Sequence, residues 1–167
     1  MAQVLNPEHL EAIKNLINES PYFKLLGIKV QDLGIGYSLV EVDLENRHLN
    51  PFGGIHGGVY SSLIDTAAYW AVYCEVDENV GLISLDLKVD NLSPINEGRL
   101  IVEGKRIKIG RSVCLAEALI TNGEGKQLAH GTSKQIVTHG LQTINQAVIA
   151  MGGKALPPKF LPSEKAI

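Results

Sequence analysis

Apolar positions near the start of the chain recur with the period of a helix. Residues 7–19 follow the helix-start signal Asn6-Pro7-Glu8, and their apolar side chains fall three or four residues apart. These side chains are Leu10, Ile13, Leu16 and Ile17. The pattern predicts a short amphipathic helix.

Two later regions show the period of a strand instead. Residues 28–33 and 37–44 flank Gly34-Ile35-Gly36, which predicts a hairpin. Four further strands are predicted at residues 82–92, 99–109, 112–121 and 127–137. Gly110-Arg111 suits a two-residue type II′ hairpin, and Asn122-Gly123 with Gly125 marks the next turn. We therefore expect the last four strands to form an antiparallel meander.

The longest predicted helix opens at His56 or Gly57, after an irregular stretch over residues 47–58. From Val59 to Glu75 the chain has no Gly or Pro and is apolar over most of the helix circumference, which indicates a buried helix. Its one polar stripe consists of Ser61, Ser62, Asp65, Thr66, Tyr69 and Tyr73. Trp70, Tyr69 and Tyr73 are interpreted as helix core. We expect the stripe to line a site.

A helix that is apolar nearly all round packs best when a curved antiparallel sheet of about six strands wraps it. The sequence therefore predicts the α+β hotdog fold, with residues 1–139 as the domain and 140–167 as a C-terminal extension. In the extension, the sequence predicts a further helix with one apolar side. A tail that contains three prolines follows, and this tail need not be folded. That side comprises Leu141, Ile144, Val148 and Met151.

Composition narrows the class of protein. The 167 residues include 15 basic and 18 acidic side chains, so the net charge of -3 gives no drive toward nucleic acid. The only two cysteines, Cys74 and Cys114, lie in apolar stretches without ligand spacing, which disfavours a disulfide framework and a metal site. We read both as core thiols. The N-terminus is charged and no apolar run is long enough for a bilayer, so we expect a cytoplasmic protein without a membrane partner.

The strongest candidate for chemistry is the run Asn50 to Gly58 at the start of the long helix. Gly57-Gly58 leave bare backbone N–H groups at the positive end of the helix dipole, which is suited to an oxyanion hole. The alternative is that these glycines only allow close packing. His56 either orients a substrate carbonyl or anchors the loop, and Asn50 either takes part in the site or makes a local turn bond.

Asp65 is the one carboxylate inside the long helix, where desolvation is costly. It is either a nucleophile or general base, or a carboxylate satisfied by Ser61 or Thr66. Eight residues at about 1.5 Å each place it roughly 12 Å beyond Gly57. One chain cannot bring both to one atom, so catalysis predicts a homodimer with two composite sites across a two-fold axis.

Other titratable residues carry weaker signals. Four histidines without suggestive spacing are left as surface or structural residues: His9, His48, His130 and His139. Lys105, Arg106, Lys108 and Arg111 cluster near Gly110, either as a solvated strand end or as a landing place for substrate phosphates. The chain lacks the HExxH, Walker, GxSxG and GxGxxG motifs of metalloproteases, NTPases, α/β-hydrolases and Rossmann enzymes.

Three runs together resemble the PaaI-type hotdog acyl-CoA thioesterases over residues 20–138. These are GGIHGGVYSSLIDTAA, LDLKVDNLSPINEG and IKIGRSVCLAEALITNGEGKQLAHGT. The resemblance implies hydrolysis of an acyl-CoA thioester to acid and CoA, in a homodimer or a dimer of dimers. It implies no metal and no dissociable cofactor.

The resemblance also implies roles for individual residues. The Gly57 amide would polarise the thioester carbonyl, while Asn50 and His56 help to position it. Asp65 of the partner subunit would attack the carbonyl or activate water, and Ser84 matches a hydroxyl position that holds this water. Gly58 would also contact substrate. The CoA arm would lie against Gly110, Arg111 and Ser112.

Two other functions suit the same fold, because fold does not determine function. One is an acyl-CoA-binding protein without catalysis, which would not need Asp65. The other is an enoyl-CoA hydratase or dehydratase that uses His56 with Asp65. The acyl group depends on pocket shape and stays open. The extension is longer than the usual ending of the family, and its role stays open too.

Overall fold

The computed structural model describes residues 3–150 and 152–162, except for the side chain of Gln3. Its strands are β1 (Gln3–Leu5), β2 (Lys29–Gly34), β3 (Tyr37–Asp43), β4 (Val80–Asn91), β5 (Arg99–Lys108), β6 (Val113–Asn122), β7 (Gln127–His139) and β8 (Phe160–Pro162). Its helices are α1 (Pro7–Asn18), α2 (Pro21–Leu26), α3 (Gly57–Tyr73) and α4 (Ile144–Ala150), with a 3₁₀ turn at Asn46–His48. None of these helices is long and apolar enough to cross a bilayer.

Six strands form one antiparallel sheet in the order β2-β3-β5-β6-β7-β4, and this sheet packs around α3. The small residues Ala67, Ala68 and Ala71 of α3 are fully buried, as are inner side chains of β3, β5 and β6 such as Val40, Leu100 and Ile120. Trp70 and Tyr73 lie in the same core, and Cys74 and Cys114 are buried free thiols. The prediction of a central buried helix wrapped by about six strands is confirmed, as are the core assignments.

The predicted meander is correct for β5, β6 and β7 and wrong for β4. Strand β4 pairs with β7 at the far edge of the sheet, with Ile83 opposite Ile136. The chain reaches β5 through residues 92–98, which cross the end of the fold and bond to Leu128 and Ile55. Alternation of side chains shows that a strand exists, but it carries no information about which strand lies beside it.

The predicted type II′ turn at Gly110-Arg111 is also wrong. Residues 109–112 connect β5 to β6, and Gly110 does not have the positive φ that this turn requires. A Cβ on Gly110 would lie 2.4 Å from the carbonyl oxygen of Val113. Glycine is therefore needed here for the close approach of two backbone segments.

Helix α2 was not predicted from the hydrophobic pattern because it has only six residues. Its boundaries nevertheless carry standard signals. Pro21 occupies the first turn, and Gly27 ends the helix with φ of 66°. This short helix lies beside α3 and forms part of the site described below.

The C-terminal extension packs back onto the domain. Val148 of α4 is buried, but Leu141 lies before α4 and is exposed, so the predicted shared face is wrong for Leu141; Met151 lies outside the described residues. The tail is folded at β8, which pairs with β1. The Lys159 ammonium group donates to the carbonyl oxygens of Tyr73 and Val76. The domain division after residue 139 stays a prediction.

Candidate active site

Asn50 shapes the loop that leads into α3. Its side-chain oxygen accepts hydrogen bonds from the N–H groups of Phe52 (2.9 Å) and Gly54 (3.3 Å). Its side-chain nitrogen donates to the carbonyl oxygen of Ile55 at 3.2 Å. Both ends of the carboxamide are thus used within the loop, as in an Asx turn. The structure places Asn50 beside the helix start and gives it a local structural role.

His56 caps the N-terminus of α3. Its Nδ1 accepts a hydrogen bond from the N–H of Gly58 at 2.8 Å. Its backbone N–H donates to the carbonyl oxygen of His48 at 2.8 Å. Since Nδ1 is an acceptor, a neutral ring carries its proton on Nε2. The contact anchors the loop and uses the amide of Gly58, so the two amides of the Gly57-Gly58 pair are not equivalent.

The N–H of Gly57 donates to no acceptor among the described residues. Gly57 lines an open hollow of about 280 Å³ together with Tyr60, Asn91 and Ser93. A Cβ on residue 57 would lie 3.2 Å from Nδ2 of Asn91, which shows how little space a larger residue would leave. A free amide at the positive end of a 17-residue helix is suited to an oxygen that gains negative charge.

Asp65 lies two turns further along α3, and its partners differ from those expected. Its Oδ1 accepts hydrogen bonds from the hydroxyls of Ser84 (2.7 Å) and Ser133 (3.1 Å). The alternative in which Ser61 or Thr66 bonds to this carboxylate is wrong, because its hydrogen bonds come from Ser84 and Ser133 and Ser61 donates to the carbonyl oxygen of Gly57. Oδ2 accepts no hydrogen bond from any described residue. One carboxylate oxygen is therefore held and the other is free.

Ser84 reaches Asp65 because of an irregularity in β4. Ser84 lies opposite Gln135 and Asp86 opposite Lys134, so Leu85 is an extra residue in this strand. Such a bulge changes the alternation of faces. Ser84 and Leu87 therefore both face α3, although they are three residues apart.

An open groove of about 340 Å³ lies at Asp65. Its lining consists of Tyr22, Phe23, Ser61, Ser62, Asp65, Thr66 and Leu87. Tyr22 belongs to α2, and its hydroxyl lies 2.6 Å from the hydroxyl oxygen of Ser62. Helix α2 thus supplies one wall of the groove, and apolar and hydroxyl groups alternate around the carboxylate.

Only part of the polar stripe on α3 lines this groove. The hydroxyl of Tyr69 donates to the carbonyl oxygen of Leu82, and that of Tyr73 lies 2.7 Å from Nε2 of His9. Burial raises the pKa of Tyr69 to about 12, so it stays protonated at neutral pH. The first four residues of the stripe line the groove and the two tyrosines do not, so the expectation of one continuous lining is wrong for the tyrosines. That the groove is a functional site stays a prediction.

The residues predicted to contact CoA lie far from Gly57 within one chain. Gly110 and Arg111 line a hollow beside Glu75 and Val76, at the C-terminal end of α3. The 17 residues of α3 separate the two ends by about 25 Å. Ser112 follows in the same connection and is exposed.

The structure splits the basic cluster near Gly110. Arg106 pairs with Glu75 at 2.9 Å and Lys105 with Glu103 at 3.6 Å. Lys108 and Arg111 are exposed and form no ion pair within the described part of the chain. Two of the four cations are therefore available to an anionic ligand.

Several residues of these sites were not singled out from the sequence. They are Tyr22, Asn91, Ser133 and Gln135. A usable signal existed for two of them, since Ser133 and Gln135 are polar residues on the inward-facing positions of β7. Among the described residues no group of three or more potential ligands is arranged to hold a metal ion.

The histidines left aside have structural contacts. His48 is fully buried, and its ring nitrogens contact the N–H of Glu45 and the carbonyl oxygen of Leu26. His9 contacts Tyr73 and the carbonyl oxygen of Pro157, and burial lowers its pKa. His130 lies 3.1 Å from Glu117 on the outer face of the sheet.

Known proteins resemble this chain in sequence and in fold. Residues 52–129 match the thioesterase superfamily. The chain is 26% identical over 124 residues to acyl-coenzyme A thioesterase 13 of Homo sapiens. This alignment covers 72% of this chain and 88% of the human protein. A thioesterase of Haemophilus influenzae superposes with a TM-score of 0.73 at 24% identity, covering 81% of this chain and 94% of that one.

A second solved structure has the same fold. A variant of the phenylacetic acid degradation protein PaaI of Thermus thermophilus superposes with a TM-score of 0.64 at 24% identity. The match covers 70% of this chain and 98% of that chain. These similarities confirm the predicted hotdog fold and the resemblance seen in the sequence.

Proposed function

We propose that the protein hydrolyses an acyl-CoA thioester to the free acid and CoA, because residues 52–129 match the thioesterase superfamily. The observation that carries the proposal is the Asp65 carboxylate, which has one oxygen held by two hydroxyls and the other free over a groove. The name of the human relative, an acyl-coenzyme A thioesterase, supports CoA as the carrier.

The free amide of Gly57 supplies the second half of the chemistry. The carbonyl oxygen of a thioester gains negative charge when a nucleophile adds to its carbon. An N–H at a helix start stabilises this charge without rearrangement, because its dipole is already oriented. His56 and Asn50 act as positioning residues, since they hold the loop that presents Gly57.

Asp65 supplies the attacking oxygen or activates a water that attacks. In the second case water loses a proton to the carboxylate, its oxygen bonds to the carbonyl carbon, and the C–S bond breaks. CoA leaves as the thiolate and takes the proton. Ser84 is within reach of the same water, because its hydroxyl lies 2.7 Å from Asp65. No metal or dissociable cofactor enters this mechanism.

A homodimer unites the two halves of the site. Gly57 and Asp65 are about 12 Å apart on one helix, so one acyl group cannot contact both in a single chain. Strand β4 forms one edge of the sheet and exposes Leu85 and Leu87, as expected for a strand that meets a second chain. An antiparallel pair of α3 helices brings Asp65 of one subunit to Gly57 of the other.

The same arrangement accounts for the CoA arm. Gly110, Arg111 and Ser112 lie at the C-terminal end of α3, which is beside the N-terminal end of the partner's α3 in an antiparallel pair. Arg111 and Lys108 are then available to the phosphates of CoA. A cytoplasmic location agrees with the two free thiols, Cys74 and Cys114.

Thiol release from a panel of acyl-CoA esters tests the proposal, with aromatic and C4 to C12 acyl groups. We expect turnover by the wild type and a fall of about 10³-fold or more in Asp65→Asn, which keeps the shape of the side chain but not its charge. Glu124→Gln, a change of an exposed carboxylate in the turn between β6 and β7, is the control for loss of one negative charge and should retain activity.

Each outcome distinguishes the alternatives. Full activity of Asp65→Asn would exclude this carboxylate as nucleophile or base. Absence of turnover by folded wild type on every ester would exclude the thioesterase. Calorimetric titration with acyl-CoA and an enoyl-CoA hydration assay would then separate a binding protein from a hydratase.

A further inference from the structure

Behind the Asp65 carboxylate, two buried polar side chains of β7 continue its hydrogen bonds into the core. The hydroxyl oxygen of Ser133 lies 3.1 Å from Oδ1 of Asp65 and 3.1 Å from the carbonyl oxygen of Asp86. Nε2 of Gln135 donates to the same hydroxyl oxygen at 2.9 Å. Ser133 and Gln135 are both fully buried. Neither residue has a role in the mechanism proposed above.

The direction of these bonds follows from counting protons. A serine hydroxyl has one proton to donate, and here two acceptors lie at the same distance. Because Nε2 of Gln135 donates to the hydroxyl oxygen of Ser133, the proton of Ser133 points away from Gln135. The charged carboxylate is a stronger acceptor than a carbonyl oxygen. Gln135 thereby excludes itself as the acceptor, and the greater strength of the carboxylate as an acceptor directs the proton of Ser133 toward Asp65.

Gln135 provides this arrangement at a cost in stability. Its Oε1 is buried and accepts no hydrogen bond from any described residue. A buried polar atom without a partner lowers the free energy of unfolding. Its neighbours on the adjacent strands are Cys114 and Ser84, and an apolar side chain of similar size would avoid this cost. A side chain kept at such a cost points to a role other than packing.

We propose that Ser133 and Gln135 are positioning residues for Asp65. Together they hold Oδ1 at the rear of the carboxylate, so that Oδ2 stays directed into the groove toward the thioester. The proposal rests on the proposed function and adds two residues to the site. It assigns Ser133 and Ser84 different tasks, because Ser84 is exposed and Ser133 is fully buried.

Gln135→Met is the informative variant because it removes the donor and the unpartnered oxygen while keeping a similar volume. We expect kcat to fall about tenfold with KM within about twofold, since the lost bond acts on the attacking group and not on substrate binding. The acid limb of the kcat profile should move about 0.5 to 1 pH unit higher, because the ionised carboxylate loses support. Thermal stability should not fall.

We expect Ser133→Ala to lower kcat and to move the acid limb to higher pH, as Gln135→Met does. It serves as the second variant if Gln135→Met does not fold. Ser38→Ala is the matched control. Ser38 is also a fully buried serine that faces α3, but it donates to the carbonyl oxygen of Ala67 at 2.7 Å and does not touch Asp65. We expect this control to leave the pH profile unchanged. If removal of any buried hydroxyl shifted the profile, Ser38→Ala would shift it as well.

A carbon-13 NMR titration of the Asp65 carboxyl separates this proposal from the proposed function. If the wild type hydrolyses no ester, the proposed function fails, and the titration still decides the role of β7. A titration midpoint raised in both β7 variants supports the proposal. Wild-type midpoints in folded Gln135→Met and Ser133→Ala, or wild-type kcat in both, would overturn it.

Discussion

Lys159 carries an ammonium group to a place that solvent does not reach. It is fully buried, donates to the carbonyl oxygens of Tyr73, the last residue of α3, and of Val76, and lies 3.9 Å from the ring centroid of Tyr73. Carbonyl groups at a helix C-terminus and an aromatic face both attract a cation. Burial still dominates and lowers the pKa of Lys159 to about 8. One side chain thus closes the end of the central helix and fastens the C-terminal extension.

This lowered pKa makes stability depend on pH. The unfolded chain binds the proton up to about pH 10.5 and the folded chain only to about pH 8, so this group makes stability rise with pH across that window. We expect the difference in free energy of unfolding between wild type and Lys159→Met to change by about 1 kcal/mol from pH 7 to pH 9, with the wild type gaining. Urea unfolding at both pH values measures it, and parallel shifts of the two proteins would contradict it.

Single residues also show what the sequence could reveal about the site. Gly57, His56 and Asp65 were identifiable because they are close along the chain and their types are unusual at a helix start or in an apolar helix. Ser133 follows Asp65 by 68 residues, and its contact depends on how β7 and the bulged β4 lie against α3. Such a contact is a property of the tertiary structure, and no local pattern contains it.

At the level of elements, α3 and the sheet approach each other closely at Gly104. A Cβ on this residue of β5 would lie 2.2 Å from the carbonyl oxygen of Ala67 in α3. The hydroxyl of Ser38 on β3 donates to the same carbonyl oxygen. A missing side chain on one strand and a hydrogen bond from the next therefore set the distance between α3 and the sheet.

Gly104→Ala should lower the free energy of unfolding by about 3 kcal/mol, because the helix backbone must move to admit the methyl group. Gly123→Ala is the control, since a Cβ there meets no atom within 4 Å. We expect the control to stay within about 0.5 kcal/mol of wild type. Thermal and urea unfolding measure both variants. Equal stability of the two variants would show that the helix adapts to the methyl group without strain.

Elements differ in how far periodicity could predict them. The six sheet strands and α3 are long enough for a clear pattern, so their positions agree with prediction within two residues. Helix α2 has too few residues for a period, although Pro21 and Gly27 mark its ends. The place of β4 at the sheet edge follows from the path of residues 92–98, which is decided by packing and not by alternation.

For the molecule as a whole, the proposed site exists only when two chains meet. Each subunit supplies a free amide at one end of α3 and a carboxylate about 12 Å along the same helix. In the proposed homodimer, a substrate in either of the two sites would contact Gly57 of one subunit and Asp65 of the other. This division can be tested without a structure of the dimer.

Co-expression of Asp65→Asn and Gly57→Leu chains with different tags should restore activity. Each variant alone damages both sites of its homodimer, whereas a mixed dimer has one site built from the two intact halves. Random pairing makes half of the dimers mixed, so we expect about a quarter of wild-type turnover. Thiol release by the co-expressed protein measures it, with the two single variants as controls. A mixture as inactive as its parents would place the whole site within one chain.

The pairing of β1 with β8 has a consequence for synthesis on the ribosome. Leu5 pairs with Phe160, and the side chain of Asn6 donates to the carbonyl oxygen of Pro158 at 2.8 Å. Translation adds roughly 5–20 residues per second, so β1 emerges on the order of ten seconds before its partner strand exists. During that interval its edge is available to chaperones and to neighbouring nascent chains. Pairing with β8 therefore removes β1 from that competition.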